Sequence, residues 1–157
     1  MEKSKAPRKT QAGFTLVELA IVIVIIGVLA AFGVPRFRDS VERSKAAEAF
    51  NYLSAVRTAQ ERYHGLEGTY ADAVSKLDVK LPAPKYFTPG TVTANGDSLE
   101  KGWKLTLTRT GASAGYGAYT VTYNEDGFDT VATDSTIADS EHEAINPIQK
   151  NTTTSSN

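Results

Sequence analysis

The run FTLVELAIVIVIIGVLAAFGV, Phe14 to Val34, constrains this chain more than any other stretch. As a helix it is about 31 Å long at about 1.5 Å per residue, which matches a hydrocarbon core of about 30 Å. One charge interrupts it, Glu18, close to its start. An acidic side chain costs on the order of 2.5 to 3.5 kcal/mol at the centre of a membrane and less near an end. Glu18 therefore either snorkels from the helix end to the headgroups or finds an opposite charge.

Ahead of the run, residues 1–13 read MEKSKAPRKTQAG, with four cations and Glu2. A short basic segment followed at once by an apolar one is the layout of a targeting sequence. As an ordinary signal peptide the apolar region is overlong, and Ala31-Phe32-Gly33 makes a poor small-residue cleavage site. As a plain single-pass anchor the span has no orientation set by charge. The leader's four cations are matched by Arg36, Arg38, Arg43 and Lys45 beyond it. Ala20, Gly27 and Ala31 recur at i, i+7 and i+11, so one stripe of the helix carries small side chains that admit another helix. Gly33 and Pro35 end the run, and proline removes an amide donor, so a hinge is expected there.

From Arg36 to His64 the sequence is helix-forming and amphipathic, with Phe37, Val41, Phe50, Leu53 and Val56 as the expected buried positions. Tyr52, Val56, Ala59 and Tyr63 share a face, and Gly65 and Gly68 end the segment. His64, near that end, suits the helix dipole. Residues 65–102 are rich in glycine and proline and read as loop, with room for one short helix near Asp72 to Leu77. Three alternating stretches follow: Trp103–Thr110, Ala118–Asn124 and Phe128–Asp134, separated by glycine-containing turns. They predict an antiparallel meander, and residues 135–157 read as a polar, flexible tail.

The chemistry of a catalytic site is missing from this pattern. With 157 residues the chain has room for one modest domain beside the apolar segment. It has no cysteine, which excludes disulfides, thiolate metal sites and a cysteine nucleophile. His64 and His142 are the only histidines, and no phosphate-binding glycine loop follows a strand. No basic tract offers a footprint for nucleic acid. Residues 124–157 carry seven acids against Lys150 alone. Among them Asp126, Asp129 and Asp134 are the calcium candidates, since clustered carboxylates suit that ion. Loop spacing for calcium is absent, and a solvated acidic turn is the preferred account of them.

Gly13, Phe14, Thr15, Leu16, Val17 and Glu18, in that order between a basic leader and unbroken hydrophobicity, with Pro35 at its end, resemble the type IV pilin and pseudopilin family. The resemblance runs from Lys9 to about Phe37 and, less specifically, to about residue 134. It implies a prepilin peptidase that cuts after Gly13 and methylates the new N-terminus at Phe14. It also implies assembly through Glu18, paired with the Phe14 amine of a neighbouring subunit. The expected fold is α+β: leader 1–13, transmembrane and assembly helix 14–35, and a head over 36–134 in which helix packs on a small antiparallel sheet. The implied role is that of a pilus subunit, held in the inner membrane before an assembly platform extracts it into a filament of identical or related subunits. A pseudopilin of type II secretion, ending in a periplasmic pseudopilus, is the alternative within the family. A membrane-tethered binding ectodomain is the alternative outside it. No cofactor is expected.

Overall fold

The structure, a computed structural model, describes residues 13–80, 82–111, 115–131 and 135–148. Residues 1–12, where most of the expected leader falls, Asp134 and residues 149–157 lie outside the described residues. The chain divides into two units, Met1–Arg38 and Asp39–Asn157, with helix α1, Leu16–Glu67, running through both.

In the first unit every described side chain is exposed, from Phe14 at 82% to Phe37 at 69%. An apolar surface of this kind, with a mean hydropathy of 2.8 over its best window, makes α1 long and apolar enough to cross a membrane. The helical assignment continues through Gly33 and Pro35 without a break. Proline there leaves the carbonyl of Ala31 without its usual donor.

In the second unit the rest of α1 is followed by a 3₁₀ turn at Val74–Lys76. The strands are β1 (Phe87–Pro89), β2 (Thr93–Ala94), β3 (Trp103–Arg109), β4 (Thr120–Asn124) and β5 (Gly127–Phe128). Two further 3₁₀ turns, Thr136–Ala138 and Ser140–Ile145, close it. All pairings are antiparallel, in the order β1-β3-β4-β5, and β2 shares the β1 edge of β3. Leu105 stands opposite Tyr123, and Leu107 opposite Val121. Alternate residues of β3, Trp103, Leu105 and Leu107, are thereby buried against Ala46, Ala49, Phe50, Leu53 and Val56 of α1. The fold is α+β, with the expected helix packed on a small antiparallel sheet.

Several expectations need correction. Phe37 and Val41 are exposed, at 69% and 38%, and apolar packing begins only at Ala46. The intervening buried residue is Glu42, so polar anchors hold that turn of the helix. α1 passes Gly65 and stops at Glu67, where Gly68 adopts φ +72° and its N–H donates to the His64 carbonyl at 2.9 Å. The loop before β3 contributes two short strands, β1 and β2, which alternation could not reveal in two or three residues.

The third expected strand pairs only at Gly127 and Phe128. Beyond it one backbone bond remains, from the Asp129 N–H to the Thr122 carbonyl at 2.9 Å, and then side chains meet the edge of β4: Thr122 N–H donates to Ser135 Oγ at 3.3 Å and Thr120 N–H to Thr136 Oγ1 at 2.8 Å. The head also extends past residue 134. Ile137 and Ile145 are fully buried in the core, so residues 135–148 are a structural part of it.

Candidate functional site

The residues that carry the family resemblance lie at the start of α1. Thr15 is the cap residue and Glu18 the third helical position. The Thr15 N–H and hydroxyl both donate to Glu18 Oε2 at 3.0 Å, and the Glu18 N–H donates to Thr15 Oγ1 at 3.1 Å. This is a reciprocal capping box, in which two otherwise unpaired backbone donors are satisfied by two side chains. The carboxylate thus has a partner inside its own chain, in addition to any external charge. The signal was legible, since Thr15-Leu16-Val17-Glu18 is the T-x-x-E pattern before an apolar run. Gly13 and Phe14 precede the helix and are exposed. A Cβ built at Gly13 meets nothing within 4 Å, so this fold does not demand glycine there.

Gly27 likewise faces open space, and so does Gly33. The apolar stripe is therefore free of intrachain neighbours at its small residues.

In the head the most concentrated polar site is one that sequence reasoning missed. Glu42 is 1% exposed and Arg109 3%. Arg109 Nε donates to Glu42 Oε1 at 2.5 Å and Nη2 to Oε2 at 3.3 Å. Lys45 Nζ adds a bond to Oε2 at 3.0 Å and the Tyr119 hydroxyl one to Oε1 at 3.2 Å. Burial by itself raises the Glu42 pKa, but the hydrogen bonds and charges of Arg109 and Lys45 outweigh it and hold the carboxyl at about 2. Burial, reinforced by the Glu42 charge, pushes the Tyr119 phenol up. Arg109 also donates to the carbonyls of Tyr86, at 3.2 Å, and Thr110. One guanidinium thus joins α1 to the end of β3 and the approach to β1. Close by along α1, Asp39 accepts from the Tyr116 hydroxyl and Arg43 donates to the Pro147 carbonyl at 3.4 Å. Nothing in the periodicity marks this partnership, because Glu42 and Arg109 are 67 residues apart in sequence.

The acidic candidates are placed separately. The Asp129 carboxylate accepts from the Val131 N–H at 2.8 Å, a local turn contact, and Asp126 follows Asn124 in an exposed turn. Asp134 lies outside the described residues. Among the described residues no group of three or more His, Asp or Glu side chains is arranged to hold a metal ion. The nearby Glu125 is engaged elsewhere: its carboxylate accepts from Asn95 Nδ2 at 2.8 Å and from the Trp103 N–H at 3.0 Å.

His64 stacks on Tyr70 with ring centroids 4.3 Å apart, and its Nε2 lies 3.1 Å from the Glu100 carbonyl oxygen. An open recess of about 460 Å³ is lined by residues including Tyr116, Tyr119, Thr136, Asp139 and His142. Most of its polar atoms serve the fold, as where His142 Nε2 meets the Tyr116 carbonyl at 2.9 Å and Thr136 bonds to Thr120.

Comparison with known proteins bears on the helix first. A family model described as the prokaryotic N-terminal methylation motif matches residues 8–34. The chain is 39% identical over 90 residues to the fimbrial protein EcpC of Eikenella corrodens, covering 57% of this chain and 59% of that protein. It is 43% identical over 65 residues to the type IV major pilin protein PilA of Myxococcus xanthus, covering 41% of this chain and 30% of that one. A fimbrial protein of Dichelobacter nodosus is 44% identical over 82 residues, covering 50% and 51%. The chain thus spans between about a third and three fifths of the length of these relatives. It carries the N-terminal methylation motif and is similar to proteins of the type IV pilin family, on a fold of long helix and small antiparallel sheet.

Proposed function

We infer that this protein is a structural subunit of a type IV pilus, made as a precursor, anchored in the inner membrane by α1, cleaved and methylated at Phe14, and assembled through its apolar helix. The observation that carries the reading is the methylation motif over residues 8–34 at the head of a helix whose apolar side chains from Leu16 to Phe37 are all exposed in the single chain. An exposed surface of this size calls for a lipid phase before assembly and for other helices after it. Prepilin peptidase and an inner-membrane assembly platform are the partners this sequence of events requires. The role is mechanical and needs neither catalysis nor a cofactor. The fimbrial names of its relatives favour a pilus over a secretion pseudopilus.

Intact mass of the purified mature protein tests the reading. Cleavage after Gly13 leaves 157 − 13 = 144 residues, and the expected mass is that of residues 14–157 with one added methyl group. The same species should be recovered in sheared filaments. A mature N-terminus at Val34, or an intact Met1, would overturn it.

A further inference from the structure

We propose that Arg36 and Arg38 form a basic girdle that binds the phosphates of anionic phospholipids around the membrane-exit end of α1, before the subunit assembles. The proposal rests on the membrane-anchor part of the reading above and not on filament formation. Both side chains are exposed, and neither has an ion-pair partner among the described residues. The nearest acids along the helix are already engaged, Asp39 by the Tyr116 hydroxyl and Glu42 by Arg109 and Lys45. Those contacts leave the two arginines available to an external anion.

Their positions suit a headgroup layer. The apolar run ends at Val34, and at about 1.5 Å per residue Arg36 and Arg38 lie roughly 3 and 6 Å beyond it along the axis. Headgroups occupy roughly that depth outside the hydrocarbon core. Two residues apart on a helix means about 200° of rotation, so the pair reaches out on opposite sides at one level. Exposed Phe32 and Val34 stand four residues before Arg36 and Arg38 respectively, so the helix surface is apolar on the inner side of each charge. Guanidinium binds phosphate through paired N–H donors, which a lysine cannot reproduce. Removal of residues 1–13 would take away the four leader cations. The mature helix would then keep basic side chains at its head end alone.

The test uses the full chain reconstituted into vesicles of phosphatidylcholine doped with phosphatidylglycerol. After gentle solubilisation, the lipids that remain with the protein are quantified by mass spectrometry. Phosphatidylglycerol should be enriched over its share in the vesicle, by about fivefold for each arginine. Arg36→Gln and Arg38→Gln should each lose about that factor, and the double variant should keep only the enrichment owed to the four cations of residues 1–13. Enrichment should fall at high salt, and Arg→Lys at both positions should keep part of it. A wild-type chain that retains the vesicle's composition, or a double variant enriched as strongly as wild type, would overturn the proposal. Alkaline carbonate extraction separates the two failures. A chain released by carbonate refutes the anchor and the girdle together, whereas an integral chain without enrichment refutes the girdle alone.

Discussion

Two carboxylates show how differently a charge can be accommodated. Glu42 is buried, and its folded pKa of about 2 lies below its ordinary value of 4.5. Its stabilising contribution is therefore complete above about pH 4.5 and is lost as pH falls from there through about 2. The shift corresponds to roughly 3 kcal/mol at most. Thermal unfolding followed by circular dichroism should show the wild-type head losing stability over that window. Glu42→Ala should flatten the acid limb and cost about 3 to 5 kcal/mol at neutral pH, because it strands Arg109 without its partner. Replacing both residues by methionine should recover most of that loss. Glu18, by contrast, is exposed and held by Thr15. Thr15→Ala should speed amide exchange at Leu16 to Glu18 by about fivefold in micelles, while Thr15→Ser, which keeps the oxygen, should leave it near wild type. Equal protection in Thr15→Ala would refute the capping role.

At the scale of elements, the hairpins of the head are tied together by Glu125. Its carboxylate holds Asn95 and Trp103, while its own carbonyl accepts from Arg57 Nε of α1 at 2.9 Å. Gly102 makes this possible: a Cβ there would lie 2.6 Å from Glu125 Oε1 and 2.9 Å from the Asn95 carbonyl oxygen. Gly102→Ala should therefore displace the carboxylate and destabilise the head by about 1 to 3 kcal/mol, measured as a lower denaturant midpoint. A midpoint equal to wild type would mean that the turn relaxes freely. The helix is tied to the following loop in the same manner. Gln60, fully buried, exchanges two hydrogen bonds with the Ala71 backbone at 2.8 and 2.9 Å. Polar side chains within α1 thus fix its register against segments that have little regular structure of their own.

At the scale of the whole molecule, the capping box bears on the assembly role that the family resemblance implies for Glu18. Oε2 takes both bonds from Thr15, so the proposed pairing with a neighbouring Phe14 amine falls to Oε1 or requires exchange. Glu18→Gln keeps an acceptor for the cap and removes the charge. It should leave the membrane-bound pool of subunit unchanged and reduce sheared filament by an order of magnitude or more. Filament at wild-type yield from an equally processed pool would show that the charge is dispensable. Glu18→Ala removes both functions and should impair filament yield at least as much.

How far the sequence reached depends on the range of the forces involved. The apolar helix, the methylation junction, the capping box and the alternation of β3 and β4 are local patterns: each is written in residues within a few positions of one another, where spacing alone fixes which side chains share a face. The amphipathic helix was legible for Phe50, Leu53 and Val56 but not for its beginning, since a helical period cannot tell whether the sheet extends as far as Val41. β1 and β2 were illegible because two or three residues carry no period, and they exist only where β3 offers them an edge. The tail misled for the opposite reason: its sequence is polar on average, yet two isoleucines, Ile137 and Ile145, complete the core. The Glu42–Arg109 pair was beyond sequence reasoning altogether. A buried carboxylate is stable only opposite its guanidinium, and chain folding alone brings together two residues that sequence places on different elements.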